Sequence, residues 1–170
     1  MPRGLKETSS LITISARVVE SAANTFTSQK VDLQLNPLDN EVFLVYSIDL
    51  DLQQSDNIDA TITVVEGALS TTERTAAQGV GGLSDSNVLA ASRMVINNQT
   101  TNAVMTEFSS DSAPSTMLPY IGIIATNDFY LNVEGTNQST TKFLNAKVYG
   151  VRARADSSVY AALVQSEVLS

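Results

Sequence analysis

The stretch Glu41-Val42-Phe43-Leu44-Val45-Tyr46-Ser47-Ile48-Asp49-Leu50-Asp51-Leu52-Gln53 decides the fold class. Val42, Leu44, Tyr46, Ile48, Leu50 and Leu52 fall on alternate positions, and successive side chains of a strand point to opposite faces. The spacing therefore predicts one β-strand with all six on a single buried face. The opposite face starts apolar with Phe43 and Val45 and turns polar with Ser47, Asp49, Asp51 and Gln53. Such a strand is covered on both sides over its first half only, as where it runs out from under a sandwich.

Further runs rich in β-branched and aromatic residues read the same way. They are Leu11–Val19, Thr25–Leu35, Asp59–Glu66, Ser92–Asn97, Ala103–Phe108, Leu118–Thr126, Phe129–Glu134 and Lys142–Ala155. Turn-forming clusters separate them, among them Asn36-Pro37-Leu38-Asp39-Asn40, Ser55-Asp56-Asn57 and Gly135-Thr136-Asn137. Two segments differ. Gly67–Leu89, with Gly79, Gly81 and Gly82, reads as a long excursion between strands. In the tail, Val159, Tyr160, Leu163, Val164 and Val168 make an apolar stripe at helical spacing behind Ser157 or Ser158, with a final strand as the alternative. The expectation is an all-β protein: a single jelly-roll β-sandwich over 11–156, with an N-terminal arm at 1–10 and a tail of short helix or strand at 157–170.

Composition narrows the chemistry. The 170 residues suit one core. There is no His, Cys or Trp, which removes Ser-His-Asp triads, thiolate metal sites and disulfides. Charged residues make up only 16%, against roughly 25% in an average soluble domain. The polar surface is mostly Ser, Thr, Asn and Gln, which cost less to desolvate against another subunit than Lys or Glu do. Net charge is −8, so a global basic field for nucleic acid is absent. Basic residues gather at the two ends: Arg3 and Lys6 early, Lys142, Lys147, Arg152 and Arg154 late. No apolar run reaches the roughly 20 residues of a membrane span, and no apolar leader segment opens the chain. Folding in the cytoplasm is the corresponding expectation.

Motif by motif, chemistry gives way to plainer readings. Gly79-Val80-Gly81-Gly82 lacks the Lys of a phosphate-binding loop and reads as a surface loop. Asp49, Asp51, Asp56 and Asp59 offer oxygen ligands for calcium without the glycine and bidentate glutamate of an EF-hand loop; a solvated acidic edge explains them. Asn98-Gln99-Thr100 and Asn137-Gln138-Ser139 fit the glycosylation pattern and read as turns. Tyr149 with Lys147, Arg152 and Arg154 comes nearest to a nucleic-acid stacking platform, yet an ordinary strand surface accounts for it. No catalytic residue, metal ligand or cofactor site is assigned, and the chain is not expected to be an enzyme.

Leu35–Tyr46 running into Ile48-Asp49-Leu50-Asp51, Ile123-Ile124-Ala125-Thr126-Asn127-Asp128-Phe129-Tyr130-Leu131, and Val148–Ala153 continuing to Val159–Val164 resemble single jelly-roll capsid proteins of small tailless marine viruses known from environmental sequences. The resemblance implies a coat subunit of an icosahedral shell, made in host cytoplasm and located in the virion. Its partners would be copies of itself, with other virion proteins alongside. Val159, Tyr160, Leu163, Val164 and Val168 are the candidate inter-subunit contacts, buried between subunits or on the subunit's own sandwich. Arg3, Lys6, Arg152 and Arg154 are the candidate genome-facing residues. Many such capsids carry an Arg-rich N-terminal arm, for which only Arg3 and Lys6 stand here, so nucleic-acid contact is expected to be weak or indirect. A lectin-like or fibre-tip binding module and a surface filament subunit are the alternatives.

Overall fold

The computed structural model describes residues 4–99, 102–109 and 119–169. Among these residues ten strands and one α-helix follow in order, with a short 3₁₀ turn at Pro37–Asp39: β1 (Leu5–Glu7), β2 (Ile12–Val19), β3 (Thr27–Asp32), β4 (Glu41–Leu52), β5 (Ile62–Ser70), β6 (Val88–Asn97), β7 (Val104–Ser109), β8 (Gly122–Ile124), β9 (Asp128–Thr136), β10 (Phe143–Ala155) and α1 (Ser157–Val168). The strands form two antiparallel sheets. In the first, β10 lies between β4 and an edge shared by β1 and β2, and β8 flanks β4. The second runs β3-β9-β5-β6-β7.

Four antiparallel pairs nest inside one another in sequence: β5 with β6, β4 with β8, β3 with β9 and β2 with β10. They form one long ladder, and wrapping it places β10 beside β4 and β9 beside β5. This winding is the jelly roll. β1 and β7 are additions to the eight-strand plan. Leu5–Glu7 of the expected arm lies on β10 of its own chain.

The core between the sheets includes Phe43, Val45, Ile48, Leu69, Ile124, Phe129, Leu131, Leu144 and Val148. Fully burying side chains of this size contributes roughly 1.5–3 kcal/mol each. A second apolar cluster lies on the outer face of the first sheet, where Val42, Leu44, Ala125, Val151, Ala153 and Ala155 meet α1.

Those two clusters correct the single-face reading of β4. Val45 pairs with Gly150 but Ser47 pairs with Tyr149, so Tyr46 is the extra residue of a β-bulge. One inserted residue inverts the alternation. Val42 and Leu44 face outward under α1, whereas Ile48 and Leu52 face the inner core. The expected half-covered face does exist: it is the outer one, covered by α1 over Val42 and Leu44 and open at Ser47, Asp49 and Asp51.

Other boundaries move as well: the strand expected over Leu118–Thr126 narrows to β8, with Leu118 outside the described residues, and three further ends shift for identifiable reasons. The expected excursion narrows to 71–87, because β5 runs on to Ser70 and β6 begins at Val88. Gly67 is a strand residue whose added Cβ would lie 3.0 Å from methyls of Leu52 and Leu144, so it marks a tight sheet-to-sheet contact rather than a loop. β3 stops at Asp32 because Gln34 takes a left-handed conformation (φ 52°) with its N–H donating to Asp32 Oδ1. Leu33 and Leu35 are nonetheless buried. Of the two forms open for the tail, the helix is the one formed.

Candidate assembly surfaces

α1 places the tail residues against the chain's own sheet. Val159, Tyr160, Leu163 and Val164 are half-buried on the outer cluster, together with Leu5, Tyr46 and Ile123. Val168 remains 69% exposed. The helix is pinned at both ends. At its start the Asp156 N–H donates to the Gly4 carbonyl at 2.9 Å, and at its end Glu167 accepts from the N–H groups of Ala125 and Thr126. Burial pushes the Glu167 carboxyl up from its ordinary value, and these amide bonds oppose the shift. A carboxyl raised in the folded state binds its proton there more readily than in the open chain. Between the ordinary and raised values the fold therefore gains stability as pH falls. Glu167→Ala removes the acceptor and should quicken hydrogen exchange at the Ala125 and Thr126 amides roughly fivefold, the equivalent of about 1 kcal/mol. Glu167→Gln keeps an acceptor and should leave exchange near the parent rate, less dependent on pH.

Among the basic candidates, Arg3 lies outside the described residues. Lys6 is exposed on β1, directly opposite Arg154. Arg154 pairs with Asp39 at 2.8 Å, and Arg152 pairs with Glu41 at 3.2 Å while donating to the carbonyls of Leu33 and Gln34. Lys6, Arg152 and Arg154 thus share one end of the first sheet, but as part of a mixed-charge patch with Asp39 and Glu41. Arg152 holds the β3–β4 connection in place.

The open half of the first sheet's outer face forms a shallow groove of about 560 Å³, lined by Arg17, Asp49, Asp51, Asn145, Lys147 and Tyr149. The Asn145 amide donates to Asp51 at 2.9 Å, and the Arg17 guanidinium stacks 4.0 Å from the centre of the Phe143 ring. Asp56 and Asp59 are not part of this face. Asp56 belongs to an interlocked end of the sandwich, where its carboxylate takes the buried Lys142 ammonium at 2.5 Å and the N–H and hydroxyl of Ser139. Buried Glu20 accepts from the N–H groups of Thr25, Gly135 and Lys142. Gln138 joins that network, donating to Ser55 and Val64 and accepting from Asp56 N–H. Among the described residues no three His, Cys, Asp or Glu side chains are grouped to hold a metal, and no helix is long and apolar enough to cross a membrane.

The glycine-rich segment wraps Arg74. That guanidinium donates to the carbonyls of Gly79 and Gln78 and pairs with Asp85 at 2.9 Å. Gly81 has a φ of 87° and abuts Arg74 so closely that a side chain would collide with it. Val80 is buried on the second sheet's outer face with Ala68 and Val88.

One surface was missed by the sequence reading. Phe108, read as part of a strand, is 59% exposed on β7, with Val104 and Met105 each at 57%. Leu83, exposed in the 71–87 loop, lines the same groove as Phe108. Leu38 stands 93% exposed on a short 3₁₀ turn, capped by the Asn36 side chain accepting from Leu38 N–H. Alternation signals a strand, yet only position in the sheet separates an edge from a centre.

Fold and surfaces together define an antiparallel jelly-roll sandwich with exposed apolar patches. No protein-family model matches the chain, and no curated protein matches its sequence.

Proposed function

We propose that this chain is a structural coat subunit that assembles with copies of itself into the closed shell of a virion. The observation that carries the reading is a set of exposed large apolar side chains on an otherwise weakly charged jelly roll: Val104 and Phe108 on one face of β7 with Leu83 in the groove beside Phe108, Met105 on the strand's other face, and Leu38 apart from them on a capped turn. Large apolar side chains left gathered on an exposed strand favour an interaction site. The low charge density keeps the desolvation cost of such contacts small. The jelly roll is a fold that both capsid and lectin domains use, so the surface, rather than the fold, supports the choice.

Self-association through repeated patches gives closed symmetric assemblies when the contacts close on themselves. Arg152 and Arg154 are already paired with acidic side chains, which favours a shell whose genome contact is weak or indirect. Negative-stain microscopy and light scattering of the purified protein at increasing concentration are expected to reveal uniform shells or their building blocks. A monomer at every concentration, with saturable binding on a glycan array, would replace this reading with a lectin-like module whose site is the groove around Tyr149.

A further inference from the structure

We propose that β7 is a two-fold contact between copies, pairing antiparallel with β7 of a second chain so that two five-stranded sheets join into one of ten strands. The inference rests on the coat-subunit reading and names the surface that begins assembly.

An edge strand offers unpaired N–H and C=O groups along one side, and folded proteins normally blunt such edges with charge, proline, brevity or covering. The other edges here are blunted. β8 has three residues, β3 carries Lys30 and Asp32, and β1 carries Lys6 and Glu7. β2 buries its apolar side chains inward and presents Thr13, Ser15 and Arg17 outward. β7 reads Val-Met-Thr-Glu-Phe-Ser, with no Lys, Arg or Pro, and every residue is exposed. Among the described residues no strand pairs with the side of β7 away from β6.

Symmetry selects the register. Two identical antiparallel neighbours are related by a two-fold axis perpendicular to the sheet, so residues directly opposite must share a face. Register with β6 sets Phe108 opposite Arg93, Thr106 opposite Val95 and Val104 opposite Asn97, on the outer face. Met105 and Glu107 sit opposite Ile96 and Met94, on the inner side. With Thr106 on the axis, Val104 of each strand meets Phe108 of the other and Met105 meets Glu107. Both aromatic rings then cover apolar neighbours, and the strand's single charge avoids its own copy. A register centred on Glu107 would set two carboxylates face to face, which is destabilising. Leu83, in the groove with Phe108, extends the apolar strip on each side of the axis.

The chain has no cysteine, so single-cysteine variants of the full chain report the register. Thr106→Cys is expected to oxidise to a covalent dimer, because directly opposite residues lie within disulfide reach at about 4.5–5.5 Å between Cα atoms. Glu107→Cys places its partner two positions out of register and should link far less. Equal linking of both variants, or none at Thr106, overturns the pairing. In parallel, Thr106→Lys sets two ammonium groups on the axis and should weaken dimerisation, read by analytical ultracentrifugation, roughly fivefold or more, with the circular dichroism spectrum unchanged. Should shells form equally well from Thr106→Lys and the parent, β7 pairing fails while the coat reading survives; a parent that never associates ends both.

Discussion

Replacing Gly150 with alanine is expected to lower the unfolding free energy by about 3 kcal/mol or more, the upper range for inserting atoms into a packed interior. Gly150 faces the β4 bulge, where Tyr46 is squeezed out of the ladder. An added Cβ would collide with the Leu44 carbonyl oxygen and come within 2.6 and 2.7 Å of two Phe43 ring carbons. Backbone cannot retreat as a flexible side chain can, so β4 and β10 would have to separate at the point where the outer and inner clusters exchange residues. Gly82→Ala is the matched control, since nothing lies within 4 Å of its added Cβ, and a change within about 0.5 kcal/mol is expected. Urea midpoints of the two variants give the comparison directly.

Asp56→Ala is the second large effect. It strands the Lys142 ammonium, whose side chain is 1% exposed, with only the Gln54 carbonyl for company. Breaking a buried pair from one side costs about 3–5 kcal/mol. The lower end is expected here because Asp56 keeps 25% of its side-chain surface exposed. Adding Lys142→Met removes the stranded charge and should recover much of the loss, which a double-mutant cycle measures. The same pair predicts acid sensitivity. The Lys142 ammonium and the Ser139 donors hold the Asp56 carboxyl well below the usual carboxylate range, against the opposing effect of burial. Its stabilisation is complete above the unfolded-state value near pH 4 and is lost as pH falls toward the depressed folded value. Asp56→Asn should flatten that part of the stability profile. Stability that declined equally in the variant would point to other carboxylates.

Strand identity was legible wherever alternation was long and the turns between carried Asn, Asp, Gly or Pro, as in β9 and β10. The bulge at Tyr46 was not, since one skipped residue leaves the alternation of hydrophobic and polar letters intact while inverting what they face. Gly67 misled for a related reason: a glycine that lets two sheets approach looks the same as one that bends a loop. The tail stripe left neighbour and self open because its chemistry is identical in both cases; Val159, Tyr160, Leu163 and Val164 lie on the chain's own sheet, while Val168 stays exposed. The Glu20, Asp56, Gln138 and Lys142 network draws on three turns far apart in sequence, so no local window contained it. The strand at β7 was read from Ala103–Phe108, but its exposure fell outside reach because edge status is a property of the whole sheet order.

The nested ladder also governs the order of events during synthesis. β10 is the common neighbour of β1, β2 and β4, yet it emerges from the ribosome after all of them. Until it arrives, the first sheet is a set of strands without a centre, and α1, the lid over its outer face, has nowhere to settle. Closure across such sequence separations is slow compared with local hairpins. The second sheet differs, because β5 and β6 pair across a single loop and β7 follows at once. The growing chain thus displays its sticky margin before its own middle is finished, so the concentration of neighbouring nascent chains should govern how much product matures rather than clumps.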